Sequence, residues 1–239
     1  MRGCGAMRYA GTDVLISNEE GEPMSETRKR LKLEAPRLPA EPERLSLPAR
    51  LGTRDAFEHG LVEGERLEEL DADKVVFDGV VFRGVTFDSA KLRSLELTDV
   101  LFDRCDLSNA DLSRAVVHRA QFRSCKLVGA DLSEAMLRNV LVEDCQLDYA
   151  NLRAADLKGV VFADSSLNRA DFCMAKLAKT EFHRCKLDGA LLGTPLRGID
   201  LSDSEFTGLS CNPDDLRGCI ISREQAFIFA ALFGMVLKD

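Results

Sequence analysis

Residues 105–134 read CDLSN-ADLSR-AVVHR-AQFRS-CKLVG-ADLSE, and the third residue of each five is large and apolar: Leu107, Leu112, Val117, Phe122, Leu127, Leu132. Followed in both directions, the same step of five meets a large apolar residue at every position from Phe77 to Leu192. A helix repeats every 3.6 residues and a strand every two, so neither can bury this set on one face. A chain that turns a corner every five residues can, with one large side chain pointing inward per side. Such a chain is a solenoid, whose repeats bury a core only by stacking on one another.

From Val100 to Ala155 the residue two before each centre is small: Val100, Cys105, Ala110, Ala115, Ala120, Cys125, Ala130, Ala135, Val140, Cys145, Ala150, Ala155. One large and one small inward residue per five fill a narrow tube to interior density. Residues twenty apart are more alike than residues five apart. The centres Phe82, Phe102, Phe122, Val142, Phe162 and Phe182 are nearly all phenylalanine, Ala90, Ala110, Ala130, Ala150, Ala170 and Ala190 are all alanine, and Cys105, Cys125, Cys145 and Cys185 share a column with Val85 and Ser165. Twenty residues therefore make one coil, and the tube has four sides.

Ala110-Asp111-Leu112-Ser113-Arg114, Ala130-Asp131-Leu132-Ser133-Glu134, Ala150-Asn151-Leu152-Arg153-Ala154, Ala155-Asp156-Leu157-Lys158-Gly159 and Ala170-Asp171-Phe172-Cys173-Met174 resemble the A(D/N)LXX unit of pentapeptide-repeat proteins, over roughly residues 62–216. The resemblance implies an all-β solenoid, a right-handed quadrilateral β-helix. At about 4.8 Å per coil, Phe77 to Phe206 would span about 31 Å. The ending Leu216-Arg217-Gly218-Cys219-Ile220-Ile221, followed by Gln225-Ala226 and Leu232-Phe233-Gly234, is similar to that of Qnr-type proteins. Known members of that group bind DNA gyrase and topoisomerase IV by imitating DNA.

Residues 1–55 lie outside the coil. Five of the seven prolines (Pro23, Pro36, Pro39, Pro42, Pro48) are interleaved there with charges, so a disordered, mobile tail is expected, with a partner-binding arm as the functional alternative. Glu19-Glu20-Gly21 corresponds to GAR-GAR-GGN, a pattern that accommodates a bacterial ribosome-binding sequence shortly before Met24. Residues 1–23 are accordingly read as a mis-assigned extension of the coding region. No run of 18 apolar residues suggests a membrane span, and eight cysteines without an export signal point to a reducing bacterial cytoplasm.

The coil is expected over 56–221, with the period slipping by one residue at Thr194-Pro195, where a proline cannot donate to a ladder. Ser222 and Gln225 then form a capping box ahead of a helix over 222–239. That helix is apolar on all sides, so Phe227, Ile228, Phe229, Leu232 and Phe233 are expected both to cap the last coil and to pair with a second copy in a homodimer.

No catalytic, cofactor or metal constellation emerges from the residues. His59 precedes the array, His118 and His183 point outward, and the column cysteines read as packing thiols whose Cβ spacing near 4.8 Å disfavours bridging. The whole chain carries a net charge of −8, but residues 75–194 hold 17 acids and 16 bases. A 31 Å length of duplex would carry about 18 phosphates, so this rod is a poor electrostatic copy of DNA. A non-enzymatic protein-interaction or scaffold role, with no direct nucleic-acid or membrane contact, is expected ahead of a topoisomerase-binding DNA mimic that alters quinolone sensitivity.

Overall fold

A computed structural model describes residues 31–48, 50–67, 70–87 and 89–236; the expected start at Met24 lies outside the described residues. Seven strands form one parallel sheet in chain order: β1 (Ala56–Glu63), β2 (Val76–Arg83), β3 (Glu96–Asp103), β4 (Val116–Arg123), β5 (Met136–Glu143), β6 (Asp156–Ala163) and β7 (Lys176–His183). Each strand pairs with the next at a register of twenty, as in Phe82↔Phe102↔Phe122. A strand covers two sides of the tube, and isolated bridges such as Thr86↔Asp106 and Lys91↔Asp111 carry the other two. This is the expected quadrilateral β-helix.

The corner is a backbone conformation rather than a residue type. Every fifth residue from Lys74 to Gly189 has positive φ, for example Asn109 at 56°, Arg114 at 58°, Tyr149 at 61° and Met174 at 60°. Left-handed backbone costs a residue with a Cβ roughly 1–2 kcal/mol. Each corner, however, aims two side chains into the shaft, and burying a leucine or phenylalanine returns about 1.5–3 kcal/mol. Packing therefore overrides local preference at each turn.

Phe82, Phe102, Phe162 and Phe182 are at most 2% exposed, as are Ala110, Ala130 and Ala150. Like stacks on like. The Phe82–Phe102 and Phe102–Phe122 ring centroids are 4.8 Å apart with interplanar angles of 12° and 1°.

The cysteine column has a second function that bulk alone does not explain. At the two following corners the small residue's N–H closes a turn within its own coil, as Ala110 does to the Leu107 carbonyl and Ala115 to that of Leu112. In the cysteine column the acceptor instead comes from the next coil's side chain. Cys105 N–H donates to Cys125 Sγ (3.4 Å), Cys125 N–H to Cys145 Sγ (3.3 Å), Cys145 N–H to Ser165 Oγ (3.0 Å) and Cys185 N–H to Ser204 Oγ (3.3 Å). The column is thus a chain of buried hydrogen bonds as well as a packed one. Burial pushes the Cys185 thiol up to about 12, and hydrogen bonding to Cys125 together with burial raises Cys105 and Cys145.

For pairs that span the slip the register falls to nineteen, with Lys186↔Glu205 and Leu191↔Ser210, and it returns to twenty at Asp200↔Ile220; Leu196, Leu201 and Phe206 take up the inward positions. The slip occurs where the sequence places it. Thr194 is buried there and donates its hydroxyl to the Ala175 carbonyl.

Helix α1 (Arg223–Leu232) begins with the expected capping box. Gln225 contributes more than that box, since its buried Nε2 donates to the carbonyls of Leu201 and Ser204 at 2.7 Å each and bolts the helix to the last coil. Phe229 is 7% exposed and meets the Phe206 ring edge-on at 5.7 Å.

Residues 31–48 depart from the expected mobile tail. They lie against the rod as a strap that runs back over the sheet from β7 to β1. The Leu31 N–H meets the Glu181 carboxylate (3.2 and 3.3 Å), Leu31 and Leu33 pack on Leu141, Val161 and Ala163, and the Arg37 N–H donates to Asp99 (2.9 Å). At the far end Leu45 N–H and Leu61 N–H exchange bonds with the carbonyls of Leu61 and Glu43, covering part of the open edge of β1. The approach is so close that a Cβ on Gly60 would stand 2.6 Å from Leu45 Cβ. Composition suggested disorder because few apolar residues are present, but half-buried Leu31, Leu33, Leu38, Leu45 and Leu47 suffice for a chain docking on a preformed surface.

Candidate interaction surfaces

Three kinds of surface follow from this geometry: the charged outer columns, the strap with the stripe beneath it, and the C-terminal end. The register of twenty places outward residues directly above one another; some columns alternate in charge, while Asp111, Asp131, Asn151 and Asp171 stack as an acidic column. One column reads Glu63, Arg83, Asp103, Arg123, Glu143. Arg83 bridges both neighbours, Glu63 at 3.3 Å and Asp103 at 3.5 Å, and Arg123 reaches Glu143 at 3.7 Å. Elsewhere Arg184 forms a two-pronged pair with Asp164 at 2.6 Å. Exposed pairs of this kind contribute little stability, about 0–1 kcal/mol each. Their consequence is that the column from Glu63 to Glu143 carries no stripe of one sign.

Asp99 sits at a corner, 7% exposed. Burial works against its charge, but the two Arg119 hydrogen bonds at 2.7 Å, the Arg37 N–H and both arginine charges outweigh it and hold its carboxyl below the ordinary range. At the far end of the strap Glu181 also receives His183 Nε2 at 2.9 Å, while His183 Nδ1 lies 3.4 Å from Asp203. The imidazole pKa is raised, first by Asp203, then against burial by Glu181. His183 therefore has carboxylate partners, which its outward position in the sequence did not suggest.

Under the strap lies a stripe the sequence reading missed. In the outward column just before the centres of this side, Val81, Leu101, Leu141 and Val161 are 4–8% exposed and stand apart from the main core cluster; the half-buried Gln121 divides them into two pairs, and Leu31 and Leu33 pack on the pair Leu141 and Val161. The equivalent column of the next side is Thr86, Asp106, Lys126, Gln146, Ser166, Lys186, all polar. The signal was available. Comparing outward columns by polarity, rather than counting only acids and bases, would have exposed it.

At the C-terminal end the expected cap and dimer residues divide. Phe229 is buried and Ile228 and Phe233 pack against the core, whereas Phe227 (56%) and Leu232 (40%) are exposed, with Met235 and Val236 beyond them. The cap covers one face of α1 and leaves the other apolar and open. A cavity of about 540 Å³ beside the helix is lined by Asp188, Asp203, Glu205, Glu224, Lys186 and Thr207, among others. Among the described residues no group of three or more His, Cys, Asp or Glu side chains could hold a metal, and no helix is long and apolar enough to cross a membrane.

A family model described as "Pentapeptide repeat region" matches residues 115–192, and one described as "Pentapeptide repeats (8 copies)" matches 90–127. No curated protein sequence gives a significant match. Among solved structures the chain is similar to HetL, a pentapeptide repeat protein involved in heterocyst differentiation regulation from the cyanobacterium Nostoc sp. strain PCC 7120. The two share 22% identity over 71% of this chain and 86% of HetL, with a TM-score of 0.50. At that identity the likeness concerns the fold alone. Trypsin-treated QnrB1, a plasmid-mediated fluoroquinolone resistance protein, is 20% identical over 79% of this chain and 99% of its own, at a TM-score of 0.35. With seven in-register strands, a five-residue corner from Lys74 to Gly189 and two repeat models that together span residues 90–192, this stretch of the chain is a pentapeptide-repeat region.

Proposed function

We propose that this chain is a non-enzymatic protein-interaction module of a bacterial cytoplasm, and that it works as a homodimer through α1. The observation that carries this reading is the open apolar face of the cap. Phe227, Leu232, Met235 and Val236 are 40–94% exposed at the end of a rod whose outer columns are otherwise mostly polar and charge-paired. A helix apolar on both faces, seated by one of them, has the form of half an interface. A second copy about a twofold axis would cover Phe227 with its own counterpart. The unpaired thiols of the column fit a reducing compartment.

Gyrase or topoisomerase IV binding by DNA mimicry ranks below this. A mimic needs like charges repeated along the rod, whereas the column Glu63, Arg83, Asp103, Arg123, Glu143 alternates in sign, and the acidic column Asp111, Asp131, Asn151, Asp171 is set in a region of 17 acids and 16 bases over residues 75–194. Sedimentation of the wild-type chain and Phe227→Asp tests the dimer. The wild type should sediment as a dimer and the variant as a monomer with unchanged circular dichroism; a monomeric wild type would sink the proposal. A gyrase supercoiling assay with and without a quinolone tests the lower-ranked reading, and inhibition or protection at micromolar protein would reverse the order.

A further inference from the structure

We propose that the stripe Val81, Leu101, Leu141, Val161 is a docking groove for an extended segment of a partner protein carrying leucines and prolines, and that residues 31–45 occupy it in the resting chain as an internal competitor. The inference deepens the interaction reading above and is independent of the dimer through α1.

Three observations support it. First, the two apolar pairs of this column, divided by Gln121, are buried, whereas Val116 and Met136 in the equivalent column of the preceding side stand exposed. Four apolar residues stand at outward positions where the next side carries Thr86, Asp106, Lys126, Gln146, Ser166 and Lys186. Second, the strap shows what the stripe accepts. Leu31 and Leu33 pack on Leu141 and Val161, the Arg37 N–H is received by Asp99, and the chain passes over β3 and β2, which carry Leu101 and Val81, before reaching Leu61 on β1. Pro36, Pro39 and Pro42 are half-buried along the way. Proline cannot join a ladder, and it lowers the entropy lost when an extended segment is ordered. The groove thus reads an extended peptide by alternate side chains, with a carboxylate at Asp99 and another at Glu181 receiving backbone N–H groups.

Third, the hold is shallow. The strap's leucines are half-buried rather than buried, and its described backbone bonds to the rod are two at Leu61 and one each at Asp99 and Glu181. A surface cover with few buried contacts opens at much lower free energy than the coil beneath it. A partner segment of the same chemistry could therefore displace it without unfolding the rod. In the resting state the same contacts keep the apolar stripe out of water.

The test uses the full chain and a fluorescein-labelled peptide spanning residues 31–47. Leu31→Asp/Leu33→Asp should release the strap, read as faster tryptic cleavage after Arg37. That variant should then bind the peptide saturably, at least tenfold more tightly than the wild-type chain does. Adding Val161→Asp should abolish peptide binding while circular dichroism is retained; Leu141→Asp serves if that variant fails to fold. A double variant that releases its strap but binds no peptide would overturn the proposal. So would equal binding by wild type and variant, or unchanged cleavage after Arg37. Light scattering on the same samples reports the dimer separately, so each reading can fail without the other.

Discussion

Replacing Cys125 tests whether the cysteine column is held by bulk alone or by its bonds. The side chain is 1% exposed, its sulfur receives the Cys105 N–H at 3.4 Å, and its thiol reaches the Arg123 carbonyl at 3.2 Å. Cys125→Ala removes a group about the size of a methylene, worth roughly 0.8 kcal/mol. It also strands a buried N–H, at about 1–3 kcal/mol. The sum is a loss of about 2–4 kcal/mol. Cys125→Val keeps the volume and strands the N–H, so a loss of about 1–3 kcal/mol is expected. Cys125→Ser keeps an acceptor and a donor, as Ser165 does natively two coils on, where its Oγ receives the Cys145 N–H at 3.0 Å and donates to the Ala163 carbonyl at 2.7 Å. Serine should stay within about 1 kcal/mol of the parent. Urea unfolding followed by circular dichroism, with the three midpoints compared at a common slope, gives the order Ser above Val above Ala. If valine matches or exceeds serine, the column is packing alone and the bond chain contributes nothing.

Other expectations follow from single positions. Thr180 is 4% exposed in a column otherwise filled by Val80, Val100, Ala120, Val140 and Val160, and its Oγ1 has no hydrogen-bond partner; Thr180→Val should raise stability by about 1 kcal/mol in the same urea assay. Gly84 turns a corner at φ 58° with open space around it, so Gly84→Ala isolates backbone strain and should cost about 1–2 kcal/mol, whereas an unchanged midpoint would mean the corner is not left-handed. Ala130→Phe overfills the shaft and should destabilise by about 1–3 kcal/mol, read as a lower melting temperature. His183 has a raised pKa in the fold, so its contribution is complete below the unfolded value, near 6.5, and is lost as pH rises through the folded one. The wild-type advantage over His183→Gln in urea should therefore be larger at pH 5.5 than at pH 9.

The coil was legible because its signal is redundant. Each of Phe82, Phe102, Phe122, Phe162 and Phe182 repeats the same statement, and the alanine column at Ala110, Ala130 and Ala150 repeats its complement. The slip at Thr194 was legible for the converse reason, since one deletion from so strict a period is conspicuous. The strap was missed because Leu31, Leu33 and Leu38 have no partners in their own stretch of sequence. Their partners are supplied by Leu141 and Val161, more than a hundred residues away, and composition weighs only what a segment can bury by itself. Gln225 was half read. The capping box is local and visible, but its bonds to Leu201 and Ser204 depend on where the last coil ends. The cysteine bonds escaped because side-chain bulk was a sufficient reason for cysteine, and nothing local says that the N–H at that corner lacks an acceptor.

The same register that builds the rod also limits what its faces can say. In-register stacking brings residue i over residue i+20, so a column of like charges would repel itself at about 4.8 Å spacing along the whole length. Alternation, as in Glu63, Arg83, Asp103, Arg123, Glu143, relieves that repulsion and in doing so removes the face's electrostatic identity. Recognition by charge would require accepting that repulsion; recognition by shape and apolar contact does not. The acidic column Asp111, Asp131, Asn151, Asp171 accepts some of that repulsion, with Asn151 Nδ2 donating to Asp131; the distinctive apolar surfaces are the stripe beneath the strap and the open face of α1. The two lie on different parts of the rod. A partner on the stripe and a second copy on α1 would therefore not compete for the same surface.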